Sequence, residues 1–396
     1  MPENLSKRPR LLIVSDTFLR QKESQWMAFG PVVREVENFA SLFSVITWIG
    51  LDPIGEDSPK TLLPIKHSRV RPVALKSKRG KSFRGKVLAL RFLCSTLPTL
   101  LRELAKHDVI HSRAPSVPAL LAALASFVYR RPIYWHKYAG DWIQEPAPLS
   151  YGLQRSLLKQ LRHTRVTING NWSDQPAHCL SFENPCLDET ESLDGHSTIA
   201  KKDYSGLLEF CFVGRLEQAK GVDRILDAFS RLKDTSRIKS LHFVGDGPNR
   251  EKYEQLASKI DLNIVFHGFM ERENLPKVLA SSHILLLPSF SEGFPKVIAE
   301  GANYGCIPIA TNVGSIGQYV NETNGWILDP KNCEGPELAK TLEDVISCDK
   351  LQHKANAAHK MVTSFTFEHY NKRIQQDILG RAMPSKIAEL KEQIDS

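Results

Sequence analysis

The feature that most limits the fold of this chain is the alternation of short apolar runs with helical patterns. In the first half, the apolar runs lie at 11–15, 45–49, 109–111, 133–136 and 165–168. The alternation restarts at residue 208 and continues to about residue 328. Strands that alternate with helices form β-α-β units, and such units build parallel sheets. The pattern therefore predicts an α/β protein.

The length of the chain, 396 residues, predicts two domains, because a single core rarely serves more than roughly 250–300 residues. We expect a first Rossmann-like domain over 1–185, a polar linker over 186–206 and a second Rossmann-like domain over 207–364. Two such domains suggest a central cleft, where ligands of parallel sheets bind. We expect a C-terminal helix, at about 365–396, to cross back to the first domain.

The net charge of +8 is unevenly distributed. Residues 1–180 contain 27 Lys and Arg against 13 Asp and Glu, whereas the other 216 contain 25 against 31. The seven cysteines are scattered without metal-ligand spacing, which favours reduced thiols and a cytoplasmic protein. Net charge bears on partners and not on the fold, so the basic half is the place to look for an anionic partner.

Two motifs in the second half carry charged side chains at the ends of predicted strands. In the first, FVGRLEQAKG, Arg215 and Lys220 lie in a strand-to-helix turn that suits a pair of phosphates, although two surface cations would look the same. In the second, SFSEGFPKVIAE, Glu292 precedes a helix and Glu300 lies on it. An apolar neighbourhood around Glu300 favours a buried carboxylate over an ordinary glutamate on the helix surface, which is the alternative. A buried carboxylate needs a hydrogen-bonding partner such as a ribose diol.

The segment from about 210 to 330 resembles the donor-binding domain of family 4 glycosyltransferases, which retain anomeric configuration and have the GT-B fold. The matching motifs are GRLEQAKGVDRILDAF, HFVGDGPNREKYEQLA, IVFHGFMERENL and LLLPSFSEGFPKVIAEGANYGCIPIATNVGS. Glu292 and Glu300 match the paired glutamates of the family. HDVIHSRAP and YWHKYAGDW in the first half resemble the acceptor-side strands.

The resemblance implies a role for each matching residue of the second half. Arg215 and Lys220 would bind the donor diphosphate, and Glu300 would hold the ribose. Glu292 would be catalytic and would contact the transferred sugar together with Gly293, Phe294, Pro295 and Lys296. The base pocket would begin at His267, Gly268 and Phe269. The chain lacks Asp-x-Asp, and Arg215 and Lys220 can supply positive charge, so we expect no metal and no cofactor beyond the nucleotide-sugar substrate.

In the first domain the resemblance suggests several acceptor-side residues. Gly30 matches one glycine of a phosphate-contacting pair, but Pro31 follows it and has no N–H to donate. His136 fits a catalytic histidine at a strand end, whereas a second alignment makes Asp141 the polar residue there. Arg113 is a further candidate contact.

A basic segment, residues 66–91, contains ten Lys and Arg, no acidic residue and interleaved apolar side chains. Such a run is commonly a solvated surface, yet its position in the acceptor half favours peripheral attachment to an anionic membrane. The cations expected to contact the membrane are Lys78, Arg79, Lys81 and Arg84.

Taken together, these features predict a retaining glycosyltransferase that moves a sugar from a UDP- or GDP-sugar to a glycan or lipid-linked acceptor. We expect it to act in cell-surface polysaccharide or lipopolysaccharide synthesis. We expect it to be cytoplasmic and to attach to the inner face of the cell membrane. One alternative is a nucleic-acid-binding α/β protein that uses the basic segment, although no nucleic-acid-binding motif supports it. Another is a non-catalytic scaffold.

Overall fold

A computed structural model of the protein describes residues 8–53, 59, 61–77 and 97–380. The chain divides into two compact units. The first unit comprises Met1–Phe182 and Tyr370–Ser396, and the second comprises Glu183–His369. Each unit is built on a mainly parallel sheet with helices packed against it, as the alternating pattern predicted.

The first unit contains a sheet of nine strands. In chain order these are β1 (Arg10–Lys22), β2 (Gln25–Phe29), β3 (Val45–Pro53), β4 (Leu62–Pro64), β5 (Val70–Ser77), β6 (Val109–Ala114), β7 (Ile133–Tyr138), β8 (Arg165–Ile168) and β9 (Cys179–Ser181). Seven strands run parallel in the order β5-β3-β1-β6-β7-β8-β9. Strand β2 pairs antiparallel with the second half of β1, and β4 pairs antiparallel with β2. The helices are α1 (Gly30–Phe39), α2 (97–104), α3 (Val117–Val128) and α4 (Leu149–Gln160).

The C-terminal helix completes the core of this first unit. Helix α12 (Phe367–Arg373) continues as a π-helical turn, Ile374–Leu379. Tyr370, Ile374 and Ile378 are buried in the same apolar cluster as Phe39 and Trp48. The predicted return of the C-terminal helix to the first domain is thus confirmed within the described residues.

The second unit has six parallel strands in the order β12-β11-β10-β13-β14-β15. These strands are β10 (Leu208–Val213), β11 (Ile238–Val244), β12 (Ile264–Gly268), β13 (Ile284–Leu287), β14 (Ile307–Thr311) and β15 (Trp326–Leu328). Its helices are α5 (Glu189–Ile199), α6 (Val222–Ser230), α7 (Arg250–Ala257), α8 (Leu275–Ser281), α9 (Lys296–Asn303), α10 (Gly335–Ser347) and α11 (Leu351–Lys360). The order is that of a Rossmann sheet, with the direction of winding reversed between β10 and β13.

The predicted linker at 186–206 is wrong, because most of this segment is helix α5 of the second unit. The Asp188 side chain accepts a bond from the Glu191 amide and the Glu191 side chain accepts one from the Asp188 amide, which forms a capping box. Ile199 joins the core, and the Lys202 ammonium donates to three backbone carbonyls. The polar composition that suggested a linker is therefore that of a capped helix with one buried face.

The described part of the basic segment, residues 66–77, contains a strand. Strand β5 pairs with β3 over its whole length and forms the edge of the parallel sheet. The four cations predicted to contact a membrane, Lys78, Arg79, Lys81 and Arg84, lie outside the described residues. None of the helices that the structure describes combines the length and the apolar composition that crossing a bilayer requires.

Candidate functional site

The loops that follow β10 and β13 meet at the reversal point of the second sheet. These two strands are neighbours, so the carboxyl ends from which the loops leave are adjacent. The Phe290 amide donates to the Ala219 carbonyl across the two loops at 3.0 Å. Ligands of open parallel sheets bind at such a reversal, outside the carboxyl ends of the strands.

Two of the predicted site residues form an ion pair across these loops. The Lys220 ammonium lies 2.6 Å from Oε1 of Glu292. Arg215 lies on the same loop as Lys220, largely exposed, and its guanidinium is 3.2 Å from the Glu217 carboxylate. Exposed pairs of this kind contribute little to stability, so the Arg215 guanidinium remains available to an anion.

The loop after β13 is held against helix α6 by two contacts that the sequence did not predict. Gly221 has a φ of +74°, and a Cβ there would lie 2.1 Å from the Pro288 carbonyl oxygen. The buried Arg224 guanidinium donates to that oxygen at 3.1 Å and stacks on the Phe290 ring, 3.5 Å from its centroid. These contacts fix the loop that carries Glu292.

Residues 293–296, which were predicted to contact the donor sugar, form the turn into helix α9. The Gly293 carbonyl accepts bonds from the amide and the hydroxyl of Ser315, at 2.9 and 3.1 Å. The Phe294 ring is buried and stacks on Phe365 with the centroids 4.6 Å apart, so it belongs to the core. Pro295 caps α9, which begins at Lys296. The first amides of a helix have no intrahelical acceptor, so they can bind an anion.

The Glu300 carboxylate is buried on α9 and is ion-paired with Arg272. Nη1 of Arg272 donates to Oε1 of Glu300, and Nη2 donates to Glu191 at 3.0 Å and to the Cys186 carbonyl at 2.8 Å. Burial disfavours the charged form of Arg272, but the carboxylates of Glu300 and Glu191 outweigh it and raise the pKa of the guanidinium.

The sequence did not predict that Arg272 and Glu191 belong to the candidate site. The burial of Glu300 indicated that it needed a partner, and a ribose was expected to be that partner. In the structure Arg272 already provides one contact, to Oε1. No described residue bonds to Oε2 of Glu300, which leaves this oxygen for a ligand.

Of the three residues predicted to begin the base pocket, Gly268 and Phe269 lead to Arg272, whereas the His267 side chain contacts another strand. Gly268 ends β12 with a φ of +71°, and the chain continues through the exposed Phe269 to Arg272. The His267 ring instead lies against His242, with Nε2 of His267 3.0 Å from Nδ1 of His242. Burial, together with His242, lowers the pKa of His267. The imidazole of His267 is thus engaged by a neighbouring strand.

The structure corrects the position of His136 in the first unit. Strand β7 continues to Tyr138, so His136 lies inside the strand and not at its end. Its side chain is fully buried, with Nδ1 2.7 Å from the Ser112 hydroxyl. Burial lowers the pKa of His136 to about 3, which keeps the ring neutral. This environment is that of a core histidine and does not support a catalytic role.

The other first-domain candidates also have partners. The Gly30 amide donates to the Thr61 carbonyl at 2.9 Å, so it is not a free phosphate donor. Arg113 pairs with the buried Glu35 at 2.7 Å. Asp141, half-buried in the loop after β7, accepts from the Ile143 amide at 3.0 Å, and burial raises the pKa of its carboxyl. Asp141 is therefore more accessible than His136.

Within the described residues, no group of three or more His, Cys, Asp or Glu is arranged to hold a metal ion. The charged groups brought together in the second unit are instead ion pairs. Lys220 with Glu292 joins the two loops, and Arg272 joins Glu300 to Glu191.

Two Rossmann-like units in this arrangement of strands define the GT-B fold. The structure is similar to that of HepE from Anabaena, solved in complex with UDP and glucose, with a TM-score of 0.64 at 14% identity over 94% of this chain and 100% of that one. It is also similar to the lipopolysaccharide outer core galactosyltransferase WaaB, with a TM-score of 0.66 at 15% identity over 94% of this chain and 99% of that one.

Sequence comparison matches part of the chain to a known family of proteins. Residues 200–361 match the family model of glycosyl transferases group 1. A curated relative, the phosphatidylinositol N-acetylglucosaminyltransferase gpi3 subunit of Schizosaccharomyces pombe, is 31% identical over 159 residues, which is 39% of this chain and 33% of the relative. The matches span about a third of the length of the curated relatives. The matched segment contains Arg215, Lys220, Arg272, Glu292 and Glu300, whereas Glu191 lies before it.

Proposed function

We propose that this protein is a glycosyltransferase that uses a nucleotide-sugar donor, UDP- or GDP-linked, and retains the anomeric configuration. The main observation behind the proposal is the ion pair between Lys220 and Glu292, which lies at the reversal point of the second sheet beside the N-terminus of α9. The family match over 200–361 supports glycosyl transfer, and it favours this function over nucleic-acid binding. The UDP and glucose bound by HepE support the choice of donor.

The proposed chemistry is stabilisation of a departing nucleoside diphosphate. An ammonium has three donors, so Lys220 can hold Glu292 and a phosphate oxygen together. Arg215 and the first amides of α9 add positive potential where charge develops on the leaving phosphate. This cluster can act without a metal ion, and we include metal independence and the absence of a further cofactor in the proposal.

Glu300 is proposed to bind the donor ribose through Oε2. Arg272 and Glu191 would hold the carboxylate in one orientation, which lowers the entropy lost when a ribose hydroxyl donates to it. Glu292, with the backbone of 293–296, would contact the transferred sugar. These residues together favour catalysis over a scaffold role.

The acceptor is proposed to be a glycan or a lipid-linked glycan bound by the first unit. Arg113 and Asp141 remain the candidate contacts, with Asp141 the more accessible. The similarity to WaaB supports a place in cell-surface polysaccharide or lipopolysaccharide synthesis. The basic segment, including Lys78, Arg79, Lys81 and Arg84, would keep the enzyme at the inner face of an anionic membrane.

Donor binding tests this proposal directly. UDP-, GDP- and ADP-sugars should be screened for thermal stabilisation of the protein and for slow hydrolysis, and at least one UDP- or GDP-sugar should produce both. Glu300→Ala should abolish most of the stabilisation while circular dichroism shows an intact fold, because the ribose contact is lost. Normal hydrolysis or transfer by this variant would show that Glu300 does not hold the ribose.

A further inference from the structure

The outward side of helix α3 in the first unit carries no polar side chain. The helix, VPALLAALASFV, contains one polar residue, Ser126, which is buried and donates to the Ala123 carbonyl. Val117, Leu124 and Val128 are exposed on the opposite side, and Val128 is 91% exposed. A helix packed on a sheet normally has polar and charged residues on its outward side. The outward side of α3 is therefore an exception that needs an explanation.

The two helices beside α3 extend the same surface. Helix α2 shares one apolar cluster with α3, and α4 shares another, so the three helices lie side by side on the sheet. The exposed leucines on these neighbours are spaced four residues apart, and Leu149 is 95% exposed. We call the whole set the outer apolar face: Leu97, Leu101, Val117, Leu124, Val128, Leu149 and Leu153.

The helices of the second unit do not have apolar outward sides. The exposed positions of α7 and α10 are mainly charged or polar, including Glu251, Lys252, Lys340 and Glu343. Exposed large apolar residues occur there singly and on separate elements, such as Leu256. Isolated exposed leucines are normal, whereas seven exposed aliphatic side chains on three adjacent helices indicate a binding surface.

Cations border the outer apolar face. Arg102 is exposed on α2, and Arg130 with Arg131 is exposed directly after α3. The acidic Glu103 is paired with Lys106 at 2.8 Å, so it adds no free negative charge. The basic segment, with ten cations and no acidic residue, precedes α2 in the sequence. An apolar surface bordered by arginines matches an anionic bilayer, because apolar side chains enter the acyl boundary while the cations reach the phosphates.

We propose that the outer apolar face docks on an anionic membrane, with Leu124 and Val128 entering the interfacial region and Arg102, Arg130 and Arg131 contacting lipid phosphates. The proposal uses none of the four cations at 78–84, and the docking does not depend on glycosyl transfer. It fits a lipid surface better than a protein partner, because the seven side chains are all Leu or Val, whereas protein interfaces are enriched in aromatic residues and Met.

The test is vesicle binding by the full chain, measured by flotation on phosphatidylcholine vesicles with and without phosphatidylglycerol. Leu124→Gln with Val128→Gln removes apolar contact without adding charge, and both positions are exposed, so the fold should be unaffected. Leu193→Gln with Leu256→Gln, at exposed positions of the second unit, is the matched control. We expect at least a tenfold loss of binding to anionic vesicles for the first pair and none for the control.

Salt separates the two kinds of contact, because apolar insertion persists when charges are screened. The unaltered chain should keep a fraction of its binding at high salt, and the Leu124 and Val128 variant should keep none.

Equal binding by the variant and the unaltered chain would overturn the proposal, as would failure of the unaltered chain to bind anionic vesicles. A dimer in light scattering that the same substitutions dissociate would also overturn it and would make the surface a contact between copies. Nucleotide-induced stabilisation of the variant should be unchanged, so failure of the proposed enzyme function would be visible separately.

Discussion

Arg272 determines which part of the Glu300 carboxylate a ligand can reach. A buried carboxylate is costly unless it is paired, and Arg272 meets that need from 28 residues earlier in the chain. The apolar neighbours of Glu300 made its burial predictable from the sequence. The identity of its partner was not predictable, because the loop after β12 and helix α5 meet only in the folded structure. The capping box at Asp188 and Glu191 was the available sign that α5 exists.

Arg272→Lys should weaken nucleotide binding on the order of tenfold, or about 1.4 kcal/mol. A lysine ammonium cannot reproduce the planar fork that bonds Glu300, Glu191 and the Cys186 carbonyl at once, so the Glu300 carboxylate would lose its fixed orientation. The measurement is the dissociation constant of UDP or GDP by calorimetry. Because Arg272 acts through Glu300, Glu191→Gln should shift the same constant in the same direction.

The matched control for this change is Arg231→Lys. Arg231 forms an exposed pair with Asp227 one turn earlier on the same side of α6, which contributes little. Nucleotide affinity should be unaffected there. If Arg272→Lys alters thermal stability but leaves the dissociation constant intact, the guanidinium is structural and does not position Glu300.

At the level of elements, the central strands and the helices between them followed from the apolar pattern, whereas the edges of the first sheet did not. Strand β5 contains Arg71, Pro72 and Lys76, which are typical of an edge but hide the alternation that marks a strand. Helix α5 was hidden by its polar composition, since only one side of it meets the core. Elements with one buried face thus give weaker sequence signals than strands buried on both faces.

The close packing of helix α6 against the loop after β13 gives a prediction at Gly221. Gly221→Ala should lower the melting temperature, because the αL conformation costs a non-glycine residue about 1–2 kcal/mol and the new Cβ would meet the Pro288 carbonyl oxygen. The loop would have to move, which would separate Lys220 from Glu292 and weaken nucleotide binding. Scanning calorimetry with and without UDP measures both effects.

Gly206→Ala provides the comparison for Gly221. Its added Cβ would make only an ordinary contact, 3.5 Å from the Asp203 carboxylate, so stability should stay the same or rise slightly. An equal loss of stability in both variants would mean that the effect at Gly221 is generic and unrelated to the Pro288 loop.

For the molecule as a whole, the fold explains why positive charge is concentrated in the first half of the sequence. The second unit holds its cations in specific pairs, such as Lys220 with Glu292 and Arg272 with Glu300, so it can bind an anionic nucleotide without a net positive charge. The first unit combines excess positive charge with the outer apolar face. The sequence predicted the charge but not the apolar face, since α3 alone reads as a buried helix.

Charge reversal at Lys78, Arg79, Lys81 and Arg84 should release the protein from anionic vesicles at low salt. Each cation near an anionic surface contributes about 1 kcal/mol, so replacing all four with Glu should cost at least about 4 kcal/mol, on the order of a thousandfold in affinity. Flotation across a salt series measures the loss. The dependence on salt should become shallower, because fewer ionic contacts remain to be screened.

The site in the second unit does not involve these residues, so UDP or GDP should stabilise the reversed variant as before. Unchanged vesicle binding would show that the basic segment makes no membrane contact and that any attachment rests on the outer apolar face alone.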